Sequence, residues 1–170
     1  MSGFSVAVLT ASDKCSQGER EDESGRVITE MVQAAGGRVV AYDIIPDELA
    51  VLRDKLIEYA DDLNVNLVLT TGGTGFSPRD NTPEATLMVL EKQVPGIPEA
   101  MRAFSLKKTP HAMLSRAVCG IRRQTLIINL PGSPRAVREN LEVVLPAIPH
   151  ALDILCGRSG ECAQLRNKEE

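Results

Sequence analysis

The stretch Leu67-Val68-Leu69-Thr70-Thr71-Gly72-Gly73-Thr74-Gly75 decides the fold. Five apolar or β-branched residues without polar alternation read as a strand, and they run straight into three glycines in four positions. The same shape recurs along the chain. Ser5–Thr10 precedes Ser12 and Asp13, Arg38–Ile45 precedes Pro46 and Asp47, and Thr125–Leu130 precedes Pro131, Gly132 and Ser133. Near-continuous apolar strands predict a sheet covered by helices on both faces, as in parallel α/β proteins.

The helices fall between these strands. Val27, Ile28, Met31, Val32 and Ala35 mark one face of a first helix, which Gly36-Gly37 ends. Leu49, Leu52, Leu56, Tyr59 and Leu63 predict a second, Pro83 opens a third, and Ile97, Met101 and Phe104 mark a fourth. Val137, Leu141, Val144, Ile148 and Leu152 predict a last long helix, with a kink or break near Leu145 imposed by Pro146 and Pro149. Ala117–Ile121, Arg122-Arg123-Gln124 and the Thr125 strand predict a hairpin. The expected fold is therefore α/β: a three-layer α/β/α domain with a mostly parallel sheet and one antiparallel strand. The domain is expected over residues 1–158, with a polar tail over 159–170.

Composition removes several function classes. The 170 residues are 43% hydrophobic and 25% charged, as in a globular domain. A net charge of −4 gives no overall basic footprint for nucleic acid, and 3% aromatic residues with no Trp give no stacking platform for single strands. No run is long and apolar enough for a membrane span, and the N-terminus has no leader pattern. Cys15, Cys119, Cys156 and Cys162 have no CxxC spacing, so free thiols in a reducing cytoplasm are expected. Cys156 and Cys162 are near enough in sequence to raise a redox bridge as the alternative.

In open α/β sheets ligands bind beyond the carboxyl ends of the strands, and four such ends here carry small, acidic or hydroxyl residues. Gly72, Gly73 and Gly75, around Thr74, let backbone N–H groups turn toward an anion. The loop is neither a Walker A sequence nor GxGxxG. Arg79, Asp80, Thr82 and Glu84 follow before a helix, more chemistry than a turn requires, so an anion or nucleotide site is expected with Ser12 and Asp13 beside it. Asp47 and Asp80 read either as helix N-caps or as a carboxylate pair for Mg²⁺. Ser133 caps the last helix, where an anion could also bind with Arg135 and Arg138 nearby. His111 and His150 have no ligand-spaced neighbours and read as structural.

Taken together, Thr10-Ala11-Ser12-Asp13, Ile45-Pro46-Asp47-Glu48, Thr70–Gly75, Arg79–Ala85, Met113-Leu114-Ser115-Arg116 and Asn129–Pro134 resemble the Mog-type molybdopterin adenylyltransferases, also found as the G-domain of gephyrin-like proteins. The resemblance runs from about Val6 to Leu155. It implies a homotrimer that transfers AMP from ATP to molybdopterin with Mg²⁺, releasing pyrophosphate, and a molybdate-insertion enzyme as a partner. By position it assigns catalysis and metal binding to Asp47 and Asp80. It assigns nucleotide binding to Ser12, Asp13, Gly72, Gly73, Thr74, Gly75, Arg79 and Glu84. Molybdopterin binding goes to Ser105, Ser115, Arg116, Asn129, Pro131, Gly132 and Ser133. The MoaB-type sister family shares the fold and the GGTG loop, and offers the alternative of a molybdopterin-binding or scaffold protein without turnover. Retention of Arg79-Asp80-Asn81-Thr82-Pro83 favours the transferase. A third reading is an unrelated nucleotide-binding enzyme on the same domain.

Overall fold

The computed structural model describes residues 3–158. The expected strand runs become β1 (Phe4–Ala11), β2 (Gly37–Ile45), β3 (Leu67–Thr71) and β6 (Thr125–Leu130), with β4 (Lys92–Gln93) and β5 (Cys119–Arg122) between the last two. They form one sheet of order β2-β1-β3-β6-β5-β4. The pairs β1–β2, β1–β3 and β3–β6 are parallel. β5 returns antiparallel on β6 through the expected hairpin, whose turn residue Arg123 has φ +52°. β4 pairs antiparallel with β5 and so runs with the rest. Two polar residues have no readable period, which is why sequence reasoning misses it.

A short helix, α1 (Asp13–Ser16), follows β1 and was not expected either. On one face of the sheet lie α2 (Glu23–Ala34), α5 (Gly96–Leu106), α6 (Pro134–Val144) and α7 (Ile148–Leu155). On the other lie α3 (Leu49–Ile57), continued by a π-helical turn at Glu58–Asp62, and α4 (Thr82–Val89). Along β1, Val6 and Val8 pack under Ile28, Val32 and Leu141, while Ala7 and Leu9 pack under Leu52, Leu56 and Tyr59. Truncating such a buried Leu to Ala costs about 2–5 kcal/mol. The expected break falls at Leu145–Ala147, a 3-10 turn between α6 and α7.

Two expectations need correction. Leu49 and Leu63, at the ends of the second apolar stripe, are exposed: Leu49 opens α3 and Leu63 follows the π-helical turn. β2 is not covered on both faces. It is an edge strand with β1 as its partner, and a register shift opposite Val6 and Ala7 displaces its pairing. Val40, Tyr42 and Ile44 are therefore partly exposed, with the Tyr42 hydroxyl turned to Asp22. The tail over 159–170 and the Cys162 half of the alternative bridge lie outside the described residues. Cys15, Cys119 and Cys156 are free thiols.

Strand order places the site. From β1 the chain crosses to one side of the sheet, and from β3 it crosses to the other. The carboxyl ends of β1 and β3 thus form a switch point, where a crevice opens.

Candidate active site

Three tethers gather the strand ends. The Ser12 amide donates to the Ile45 carbonyl at 2.9 Å, the Thr71 hydroxyl to the Pro131 carbonyl at 2.6 Å, and the Ser24 hydroxyl to the Gly132 carbonyl at 2.8 Å. The glycine bend lies at their centre. Gly72 and Gly73 have φ of +89° and +66°. A Cβ on Gly72 would collide with the Ala11 carbonyl, and one on Gly73 with the Thr82 hydroxyl and the Asp47 carboxylate. Both positions need glycine for conformation and for space.

Two clefts open on either side of this bend. The first, about 820 Å³, is lined by Ser12, Asp47, Asp80, Gly72, Gly73, Gly132 and Ser133, and reaches to Arg20, Asp22 and Ser24 at the start of α2. The second, about 300 Å³, is lined by Thr74, Gly75, Pro131, Ser105 and Ser115 and by apolar Pro98, Met101, Ala112 and Leu114. The glycine bend and the end of β6 form the wall between them. Gly72–Gly73 and Gly132–Ser133 face the first cleft, and Thr74–Gly75 and Pro131 face the second.

The carboxylates sit in contrasting settings. Asp13 and Asp47 exchange backbone-to-carboxylate hydrogen bonds, at 3.2 Å from the Asp13 amide and 3.0 Å from the Asp47 amide. Arg79 grips Asp13 with Nε at 2.6 Å and Nη2 at 2.9 Å, which holds the Asp13 carboxyl below its ordinary range. Burial pushes the Asp47 carboxyl above its ordinary range, and the charges of Asp13 and Asp80 add to the effect. Asp47 Oδ1 is buried without a hydrogen-bond partner, as is the Thr82 hydroxyl. Asp80 Oδ2 accepts from the Ser77 amide at 2.9 Å. An orphaned carboxylate oxygen beside a second carboxylate suits a divalent cation. No group of three or more His, Cys, Asp and Glu is placed to hold a metal among the described residues. A cation here would take its remaining ligands from phosphate and water, the habit of Mg²⁺.

Several expected residues are placed otherwise than their assigned roles suggest. Asn129 is fully buried; its amide donates to the Thr70 and Thr86 hydroxyls at 3.0 Å each, and its Oδ1 accepts from the Val118 amide at 3.2 Å. It joins β3, β6 and α4 and has no free polar atom to offer a ligand. Arg116 braces the bend: it donates to the Gly75 carbonyl at 2.7 Å and the Asp80 carbonyl at 2.9 Å, and pairs with Glu84. Neither Arg116 nor Glu84 lines either cleft. Thr74 and Gly75, grouped by the resemblance with Gly72 and Gly73, face the second cleft, while Gly132 and Ser133, grouped with Pro131, face the first. In each segment the chain changes sides once, after Gly73 in the bend and after Pro131 beyond β6, so one strand end serves both.

Sequence reasoning missed Asp22. It is buried, caps α2 through the Gly25 amide at 3.0 Å, and accepts from the Thr10 hydroxyl at 2.5 Å and from the Tyr42 hydroxyl. A capping signal at Asp22 was readable; its place in the first cleft was not. His111, read as structural, lines the second cleft with Arg102, Thr109, Glu139 and Asn140. His150 is exposed on α7.

The fold and site define a mostly parallel α/β domain with a glycine bend between a carboxylate-lined cleft and a less polar one. This chain belongs to the family described as "Probable molybdopterin binding domain", which matches residues 7–150. It is 46% identical over 159 residues to the molybdopterin adenylyltransferase of Helicobacter pylori, covering 92% of this chain and 90% of that one. It is 48% identical over 160 residues to gephyrin of Dictyostelium discoideum, covering 88% of this chain but only 22% of gephyrin, so it spans about a fifth of that protein. Among solved structures it is similar to the molybdopterin biosynthesis enzyme MoaB of Thermus thermophilus, with a TM-score of 0.86 and 49% identity over 91% of this chain and 97% of that one.

Proposed function

We propose that the chain is a molybdopterin adenylyltransferase that transfers AMP from ATP to the terminal phosphate of molybdopterin and releases pyrophosphate. The observation that carries the reading is the shared wall. One cleft offers bare backbone, the capped start of α6 and carboxylates through which a divalent cation would bridge to a triphosphate, the other has apolar sides for a ring system, and the glycine bend with the end of β6 separates them. The attacking group is a phosphate monoester, mostly dianionic at pH 7 because its second pKa is about 6, so no general base is needed. A phosphate oxygen forms a bond to the α-phosphorus of ATP, and the bond from that phosphorus to the bridging oxygen breaks. The electron pair leaves with pyrophosphate.

The demand on the protein is to hold two polyanions together in line. Backbone N–H groups of the bend, the capped N-terminus of α6 and Arg20 oppose that charge from the first cleft. Asp47 and Asp80 would hold Mg²⁺, which neutralises phosphate charge when bound. A nearby cation favours the ionised form of Asp47, which burial disfavours. Arg116 and Glu84 set the bend, and Ser105, Ser115 and Pro131 line the ring side. The family resemblance adds a homotrimer and a molybdate-insertion enzyme downstream; the cysteine spacing supports a cytoplasmic location, and the domain is taken as residues 1–158.

The alternative is binding without turnover, and the likeness to a MoaB protein keeps it as the second reading. The test is pyrophosphate release from ATP and molybdopterin. Wild type is expected to turn over, and Asp80→Asn to lose about 10²–10³-fold in kcat while its circular dichroism and elution volume stay unchanged. Molybdopterin binding without pyrophosphate release by wild type would establish the second reading instead.

A further inference from the structure

One carboxylate lines the second cleft, and nothing in the reaction above uses it. Glu139 lies on α6, and its side chain is 19% exposed. Lys108 and Arg135 both approach its Oε1, each at 3.0 Å. Among the described residues no hydrogen bond reaches Oε2. The two cations, Lys108 first, hold the Glu139 carboxyl below its ordinary range, so it is an anion at neutral pH.

Its place along α6 gives it a direction. Pro134 lines the first cleft, and Ala136 and Glu139 line the second. Five residues of helix separate Pro134 from Glu139, about 8 Å of rise. A ligand that presents its phosphate at the shared wall and extends into the second cleft therefore brings its far end toward Glu139. In molybdopterin that far end is the pyrimidine edge of the pterin, where a ring N–H and an exocyclic amino group stand side by side as donors. An ionised carboxylate only accepts, and its hydrogen bonds are the stronger charge-assisted kind. The hydroxyls of Ser105 and Ser115 both donate and accept, and cannot discriminate in this way.

We propose that Glu139 is the specificity-determining residue of the second cleft, accepting through Oε2 from the 2-amino and N3–H edge of the pterin; this rests on the adenylyltransferase reading above. Glu139→Gln keeps the shape and removes the charge, at a partly exposed helical position where folding is not at stake. Pyrophosphate release is measured with molybdopterin and ATP varied in turn, together with competition by free pterin and by lumazine, in which oxygen replaces the 2-amino group. The variant is expected to raise the KM for molybdopterin about 10- to 100-fold and to leave kcat and the KM for ATP within about twofold. Wild type is expected to prefer pterin to lumazine, the Gln variant to lose that preference, and Glu139→Asp to recover part of it. An unchanged KM for molybdopterin, an equal rise in the KM for ATP, or equal competition by the two rings on wild type overturns the assignment. If wild type releases no pyrophosphate but a direct titration shows molybdopterin binding that Glu139→Gln weakens, the transferase reading falls and the role of Glu139 stands.

Discussion

The two clefts share a wall and are made of opposite materials. The first is lined by Ser12, Arg20, Asp22, Asp47 and Asp80 around bare glycine backbone. The second has Pro98, Met101, Leu114 and Pro131 for walls and a few separated polar groups. A cleft of the first kind holds an anion through backbone N–H groups and a cation bridged by its carboxylates, with little regard to shape. One of the second kind gains from burying a flat ring and selects among rings through its few polar atoms. A reaction joining a nucleotide to a ring-bearing phosphate needs one of each, and the glycine bend lets them meet without a side chain in between.

The strongest way to break this arrangement is to thicken the wall. Gly72→Ala forces a side chain into the left-handed region at φ +89° and drives its Cβ into the Ala11 carbonyl, so β1 and β3 cannot both keep their positions. The expected cost is about 2–4 kcal/mol in urea unfolding, with turnover lost even where the protein remains folded. A variant with unchanged stability and turnover would mean that the bend does not set the distance between the clefts.

A gentler change sharpens the contrast. Ser115 lines the second cleft, and its hydroxyl accepts only a long bond from the Ala117 amide, at 3.4 Å. Ser115→Ala is expected to raise the KM for molybdopterin about 3- to 10-fold and to leave the KM for ATP unchanged. Equal loss of both ligands in steady-state kinetics would show that the two clefts are not separate subsites.

The two clefts also differ in how far the sequence reveals them. The first is written locally: a strand, then Gly72-Gly73, with Asp47 and Asp80 each just past a strand or bend. The layers were legible for the same reason, since β1, β3 and β6 carry their burial in their own residues. The second cleft has a local signature only at Thr74, Gly75 and Pro131. Ser105, His111, Ser115, Pro131 and Glu139 come from α5, a 3-10 turn, a loop, a strand end and α6, and only the packing of α5 against α6 gathers them. Ser105 and Ser115 were reached through family resemblance alone, and Glu139 was not reached at all. Asn129 and Arg116 show the limit from the other side. A polar residue inside a specific motif looked like a ligand contact in each case, yet the packing consumes every polar atom of Asn129 and turns Arg116 toward the bend. Tyr42 and Val40 mark a further limit, because an apolar strand sequence does not say whether the strand ends up at the edge.

The smallest expected effect lies within the first cleft, in the pair Asp13 and Asp47, which share hydrogen bonds but titrate in opposite directions. Burial raises the Asp47 carboxyl above its ordinary value near 3.8. Between that value and the raised one the folded protein binds more protons than the unfolded chain, so this group lowers stability as pH rises. Asp47→Asn removes the burden. The variant is expected to match wild type at the acid end of the folded range, to become the more stable of the two as pH climbs through the raised value, and to hold that margin at neutral pH while losing adenylyl transfer. Asp13 behaves inversely: Arg79 lowers its carboxyl, so its contribution is present above the ordinary value and fades as pH falls through the lowered one. Urea unfolding at intervals from pH 4 to 8 reads the Asp47 slope, and extending the series below pH 3.8 reads that of Asp13. If Asp47→Asn were less stable than wild type throughout, the carboxylate would be a structural support, and its orphaned oxygen would not be a position kept open for a ligand.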